Sequence, residues 1–242
     1  MISNLRFLSL IIFLSLSNLS YAQKDLEYIS HFSVFSSIGP QFPNGYFSED
    51  NFGGHYAQIG INTKLLDFGY NIFNNFGIKL SYFYGNNFLN SNSFLTDFVI
   101  ETDVAYNMNI RYPSYEYHAP VAGLQYKIDV DNFIMLLNAM VGPFYLSTPE
   151  FTLTSGPYSL EQRTSTGSNI GYCLSAMFIK SRSNSKKNKH LTISLNYFIS
   201  DIEVKGIIED QSGTQYINDS LIGFRNFSLM FGLIRPLNFK IR

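Results

Sequence analysis

Four histidines (His31, His55, His118 and His190) and one cysteine (Cys173) are the residues of this 242-residue chain best suited to acid–base, nucleophilic or metal chemistry. A serine nucleophile needs a base within hydrogen-bond reach and an acid to orient that base. His31 and Ser33 stand two apart, so a strand would place them on one face, and Glu116 offers a carboxylate to complete the set. Such an arrangement would suit a lipid-modifying enzyme. The plainer expectation is that His31 and Ser33 are polar residues on the inward face of a serine-rich strand. His118 is two residues from Glu116 and is expected to form one internal hydrogen bond with it rather than an acid–base couple. The histidines are dispersed, no H-x-x-x-H spacing occurs and the cysteine is alone, so no metal site is expected. No phosphate-binding glycine loop precedes a helix. The chain is therefore expected to have no catalytic residues and no cofactor, and to be no enzyme.

The elements that would position these residues begin with a leader. Residues 1–6 carry one positive charge, residues 7–16 (FLSLIIFLSL) are an apolar run too short to span a bilayer, and Ser20 and Ala22 precede Gln23. That order predicts a secretory signal peptide over 1–22, cleaved after Ala22. Residues 23–242 are then one exported domain. Charged residues make up 14% of the chain, well below the roughly 25% of ordinary soluble domains, while aromatics reach 17%. A formal net charge of −1 gives no footing for a nucleic-acid partner. A single cysteine excludes an intrachain disulfide framework.

Two-residue alternation recurs along the mature chain. Leu191, Ile193, Leu195, Tyr197 and Ile199 oppose Thr192, Ser194, Asn196 and Ser200, with Phe198 out of phase; Phe227, Leu229, Phe231 and Leu233 oppose Ser228, Met230 and Gly232. Weaker versions at 57–65, 78–85, 122–128 and 171–178, with candidates at 28–39 and 133–146, bring the count to eight strands. The strands predict an all-β, single antiparallel up-and-down transmembrane barrel. Residues 97–110 could extend two strands as a hairpin above the membrane, or add a pair to the wall and bring the count to ten. Short connections (66–75, 129–132 and 181–189) alternate with long ones (40–53, 86–113, 147–167 and 205–223), as outer-membrane barrels require. The long segments sum to −7 and the turn 181–189 to +4.

A soluble barrel of the lipocalin type would alternate equally but bury its apolar face. Here the apolar face is almost free of charge at mid-strand and gains Tyr and Phe toward the ends, which favours a lipid-facing exterior. The polar candidates for the interior are His31, Lys64, Lys79, Glu116, His118, Lys127 and Asn196. Burying a lone charge is costly, so the three lysines are expected to pair with Glu116 or other acids.

The Ser20-Tyr21-Ala22-Gln23 cleavage region, the segment 115–126 (YEYHAPVAGLQY) and the following strand with Gly142 resemble the porin-family outer-membrane β-barrel proteins of Bacteroidetes-type bacteria, the OmpA-like and PorT-like small barrels. The resemblance implies a barrel in the outer membrane of a Gram-negative bacterium, and family members include a component linked to type IX secretion. An eight-stranded barrel has an interior filled by its own side chains, which argues against general diffusion. The expected role is structural or interactive, through the long loops. The expected partners are outer-membrane lipid and envelope proteins, around a monomeric barrel. Association with secretion, and a lipid-modifying enzyme, are the alternatives.

Overall fold

A strand satisfies all its backbone N–H and C=O groups only when it is paired on both sides, and eight strands of this chain achieve this by closing into a ring. The computed structural model describes residues 32–49, 55–73, 75–102, 105–130, 133–180, 190–210 and 212–237. The leader and His31 lie outside the described residues, as does the turn 181–189. Among the described residues are β1 (Phe32–Pro43), β2 (Ala57–Asn71), β3 (Phe76–Leu89), α1 (Ser91–Thr102), β4 (Asn107–Tyr112) and β5 (Ser114–Val130). They continue with β6 (Phe133–Ser147), β7 (Glu150–Ser155), β8 (Tyr158–Gln162), β9 (Thr166–Lys180), β10 (His190–Asp210) and β11 (Gln215–Leu237).

The ring runs β1-β2-β3-β5-β6-β9-β10-β11, every neighbour antiparallel, and the pairing of β11 with β1 closes it. Closure removes the free edges that would otherwise pair with other chains. The remaining three strands extend one side of the ring beyond its long-loop end. There β10 outruns β9 and pairs with β8, β8 pairs with β7, and β7 with β4.

Residues 97–110 therefore do not widen the wall. Their first part belongs to α1 and their last part to β4, in a dome over the long-loop end. Asn90 starts the helix by accepting from the Ser93 backbone N–H at 3.4 Å and from Phe94 N–H at 3.0 Å. Phe94 then packs its ring against Tyr56 and Phe151, with centroids 5.5 and 5.0 Å apart, and Tyr56 donates to Asp97 at 2.9 Å.

The wall has the polarity of an inside-out soluble protein. On β10, Thr192, Ser194, Asn196 and Ser200 are buried, whereas Leu191 and Ile193 stand exposed on the outside. On β11, Asn226, Ser228 and Met230 face in, and Phe227, Phe231 and Leu233 face out. The lipocalin arrangement, with the apolar face inside, is thus reversed. Outward positions 76–84 of β3, 120–128 of β5, 170–178 of β9, 191–199 of β10 and 227–233 of β11 contain no charged residue.

Candidate functional site

The interior is layered. Toward the short-turn end, Phe35, Ile134, Leu136, Met177, Ile179 and Ile234 form an apolar floor. Above it lies a polar layer built by register. One rung of the ladder links Asn71, Gly77, Gln125, Asn138, Ser175, Asn196, Ser228 and Gln41, one residue from each of the eight ring strands. Following the rung once around returns it to β2 at Gly60, eleven residues from Asn71. This stagger is the shear that a tilted barrel needs. It turns a run of small polar residues into a climbing row inside the wall.

Three charges are fixed in this layer. Asp67 receives Lys64 at 3.2 Å and Lys79 at 2.9 Å, with all three side chains fully buried, and Ser81 donates to it at 2.7 Å. Two ammonium groups share one carboxylate, and aromatic faces take the excess: Lys79 Nζ lies 3.6 Å from the Phe35 ring centroid and Lys64 Nζ 4.9 Å from that of Phe83. The lysine partner is Asp67, then, and not Glu116. Lys127 also points inward, near the short-turn end, where it pairs with Asp129 at 3.1 Å. Asn196 is buried and donates to Ser228 at 3.3 Å.

Over the polar layer sits a plug of rings. Phe83, Phe144, Phe198, Phe224, Tyr117 and Phe47 are each fully buried. Phe83 meets Phe198 edge-on at 4.9 Å, and Tyr117 meets Phe224 at 4.8 Å. Gly85, opposite Tyr117 in register, makes this possible, because a Cβ there would lie 2.5 Å from the Tyr117 ring. Tyr117 donates to Gln41 at 2.9 Å, Gln41 to Asn87 at 2.7 Å, and Asn226 to Asn87 at 3.0 Å, so hydrogen bonds lock the plug to the polar row. With the floor below and the rings above, the polar row lies between two apolar layers.

Glu116 and His118 do not join the interior. The pairing of β3 with β5 has no register shift, so the period that buries Tyr115, Tyr117 and Ala119 turns Glu116 and His118 outward. They stand just past the uncharged belt at its long-loop edge. There His118 Nδ1 is 2.7 Å from the Tyr82 hydroxyl, and Glu116 hydrogen-bonds Tyr84. Ser33 is buried inside the wall, so the Ser33–Glu116 half of the catalytic set is split between its two sides. Cys173 is fully buried.

No family model matches the sequence, and no curated protein does. Several solved structures are similar to this chain. The Neisserial surface protein A structure matches at 13% identity and a TM-score of 0.47, covering 86% of this chain and 98% of that one. The attachment invasion locus protein of Yersinia pestis matches at 14% and 0.42, covering 85% and 98%. A major outer membrane protein from Thermus thermophilus matches at 12% and 0.48, covering 84% and 97%. None of these three reaches a TM-score of 0.5.

Proposed function

We propose that this chain is a small outer-membrane barrel without a through-pore, which does no chemistry itself and works through its long-loop dome. One observation carries the reading: an uncharged apolar belt encircles a wall whose inside is polar, ion-paired and plugged. From Leu191 to Ile199 the belt on β10 is about 20 Å tall at ordinary strand rise and tilt, close to the roughly 25 Å apolar band of outer-membrane barrels. Water would make such an exterior a large exposed apolar patch. The partners in this reading are lipid around the belt and an envelope or surface protein on the dome, where Ile100, Tyr112 and Tyr158 are exposed. The closed ring suits a monomer. Kinship with PorT-like barrels would make that partner a secretion component.

The test is fractionation of cells making the full chain, followed by gels of boiled and unboiled protein and by planar-bilayer recording. The expected result is recovery with outer membranes, faster migration when unboiled, and no stepwise conductance. Recovery in solution without detergent would overturn the membrane reading, and steady conductance steps would overturn the closed interior. A lipid A or phospholipid profile altered by deletion would replace the non-enzymatic role with a lipid-modifying one.

A further inference from the structure

Where β10 and β11 rise out of the belt, the outer wall and the first long loop flank a half-open cavity of about 360 Å³. Tyr46 and His55 line it from the loop, and Asp201, Leu221, Gly223 and Arg225 line it from the wall. Arg225 donates to Asp201 Oδ1 at 2.8 Å and to the carbonyl oxygens of Ser200 and Phe224 at 2.7 and 3.0 Å. A guanidinium has five N–H donors, so these three bonds leave two. Asp201 spends one carboxylate oxygen on Arg225, and its side chain is 56% exposed. The Tyr46 ring is 69% exposed beside them, and His55 hydrogen-bonds the Leu221 backbone.

Gly223 is the second observation. It faces Asp201 across the ladder, in a strand interior where glycine weakens the sheet. A Cβ at this position would meet only Asp201 Oδ1, at 3.8 Å, so the wall itself makes no steric demand for glycine. What its absent side chain does is keep the cavity floor open.

We propose that the cavity binds the zwitterionic headgroup of an aminophospholipid, taking the phosphate on the two remaining Arg225 donors and the ammonium on Asp201 and the Tyr46 ring face. Charge decides the class. A purely anionic headgroup would meet the Asp201 carboxylate in the same space, and a lone cation would meet Arg225, whereas a phosphate joined to an amine satisfies both. Position supplies the source. Ile199 and Phe227, the outward side chains immediately below Asp201 and Arg225, begin the apolar belt, so acyl chains leaving the cavity run down onto it. The site rests on the membrane reading, since only there would a lipid lie alongside.

The experiment uses full-length protein in neutral maltoside micelles, with dihexanoyl-phosphatidylethanolamine and dihexanoyl-phosphatidylglycerol as competing probes followed by native mass spectrometry. Wild type is expected to retain the ethanolamine lipid about tenfold better, the equivalent of one charge-assisted hydrogen bond. D201N should abolish the preference, Y46A should weaken it, and R225Q should lower retention of both probes, since both carry the phosphate. G223V fills the floor with a good strand former and should block binding while the protein still migrates as a folded barrel when unboiled. Equal retention of the two probes by wild type, or a preference that survives both D201N and G223V, would overturn the site. Folded migration with equal retention defeats the site alone, whereas loss of folded migration in wild type defeats the membrane reading beneath it.

Discussion

The same wall carries two ion-paired groups in opposite settings. Inside, Lys64, Asp67 and Lys79 have no exposed side-chain surface; outside, Arg225 and Asp201 are 28% and 56% exposed. The inner group is held together by a carboxylate, a serine hydroxyl and two ring faces. Removing one partner strands a buried charge. The outer pair has water for an alternative and contributes little to stability. Charge therefore does structural work in the interior that it does not do at the rim.

Breaking each group separates these roles. D67N leaves two buried ammonium groups facing each other and should cost about 3–5 kcal/mol, read from urea unfolding in vesicles. D201N in the same assay should cost less than about 1 kcal/mol. A similar loss from both would erase the contrast.

The plug offers the next largest effect. F198A removes a ring that packs on Phe83, Tyr117 and Phe144 and should cost about 3–5 kcal/mol. It should also introduce brief conductance steps in bilayers, because it opens the layer above the polar row. F231A, whose ring faces outward and is 48% exposed, should cost less and leave the bilayer silent.

On the outer side, L174R places a charge in the middle of the belt on β9 and should cost about 2–4 kcal/mol in a bilayer. If water bathed this face, the change would be nearly neutral.

The smallest expected effect is a pH response at the rim. Burial holds the His55 imidazole below its ordinary pKa, against a weaker opposing pull from its hydrogen bond to Leu221. The folded state thus favours neutral His55, whose contribution is complete above about pH 6.5 and declines as pH falls below it. Asp201, Arg225 and Tyr46 share the cavity with it. Amide exchange at the first loop, corrected for intrinsic rates, should quicken between pH 7 and pH 5, and H55Q should remove the change.

Much of this was legible from period two alone. The alternation on β10 and β11 marks which side is polar, and the connection lengths mark which end carries the dome. Glu116 and His118 show the method misapplied. Counting by twos from Leu124, an outward residue, carries both of them outward, but their polarity suggested the interior. The plug was written as exceptions: Phe83 and Phe198 stand out of phase among Lys79, Ser81, Asn196 and Ser200. An aromatic on a polar inward face is the signal that a barrel is closed at that level. Residues 97–110 misled because a short apolar helix and a strand pair look alike without a partner, and the choice was made by Asn90 capping and by Phe151 across the dome. The rim cavity had no local signal, since Tyr46 and Arg225 are far apart in sequence and meet only when β11 closes on β1.

Lipid contact at the belt is the point on which the rest depends. A spin label on cysteine at Leu124, in a Cys173→Ser background and in vesicles, reports it through relaxation by oxygen against a water-soluble nickel chelate. A membrane barrel predicts strong relaxation by oxygen and almost none by nickel at Leu124, with the order reversed for a label at Asp201. Equal nickel access at the two positions would contradict it.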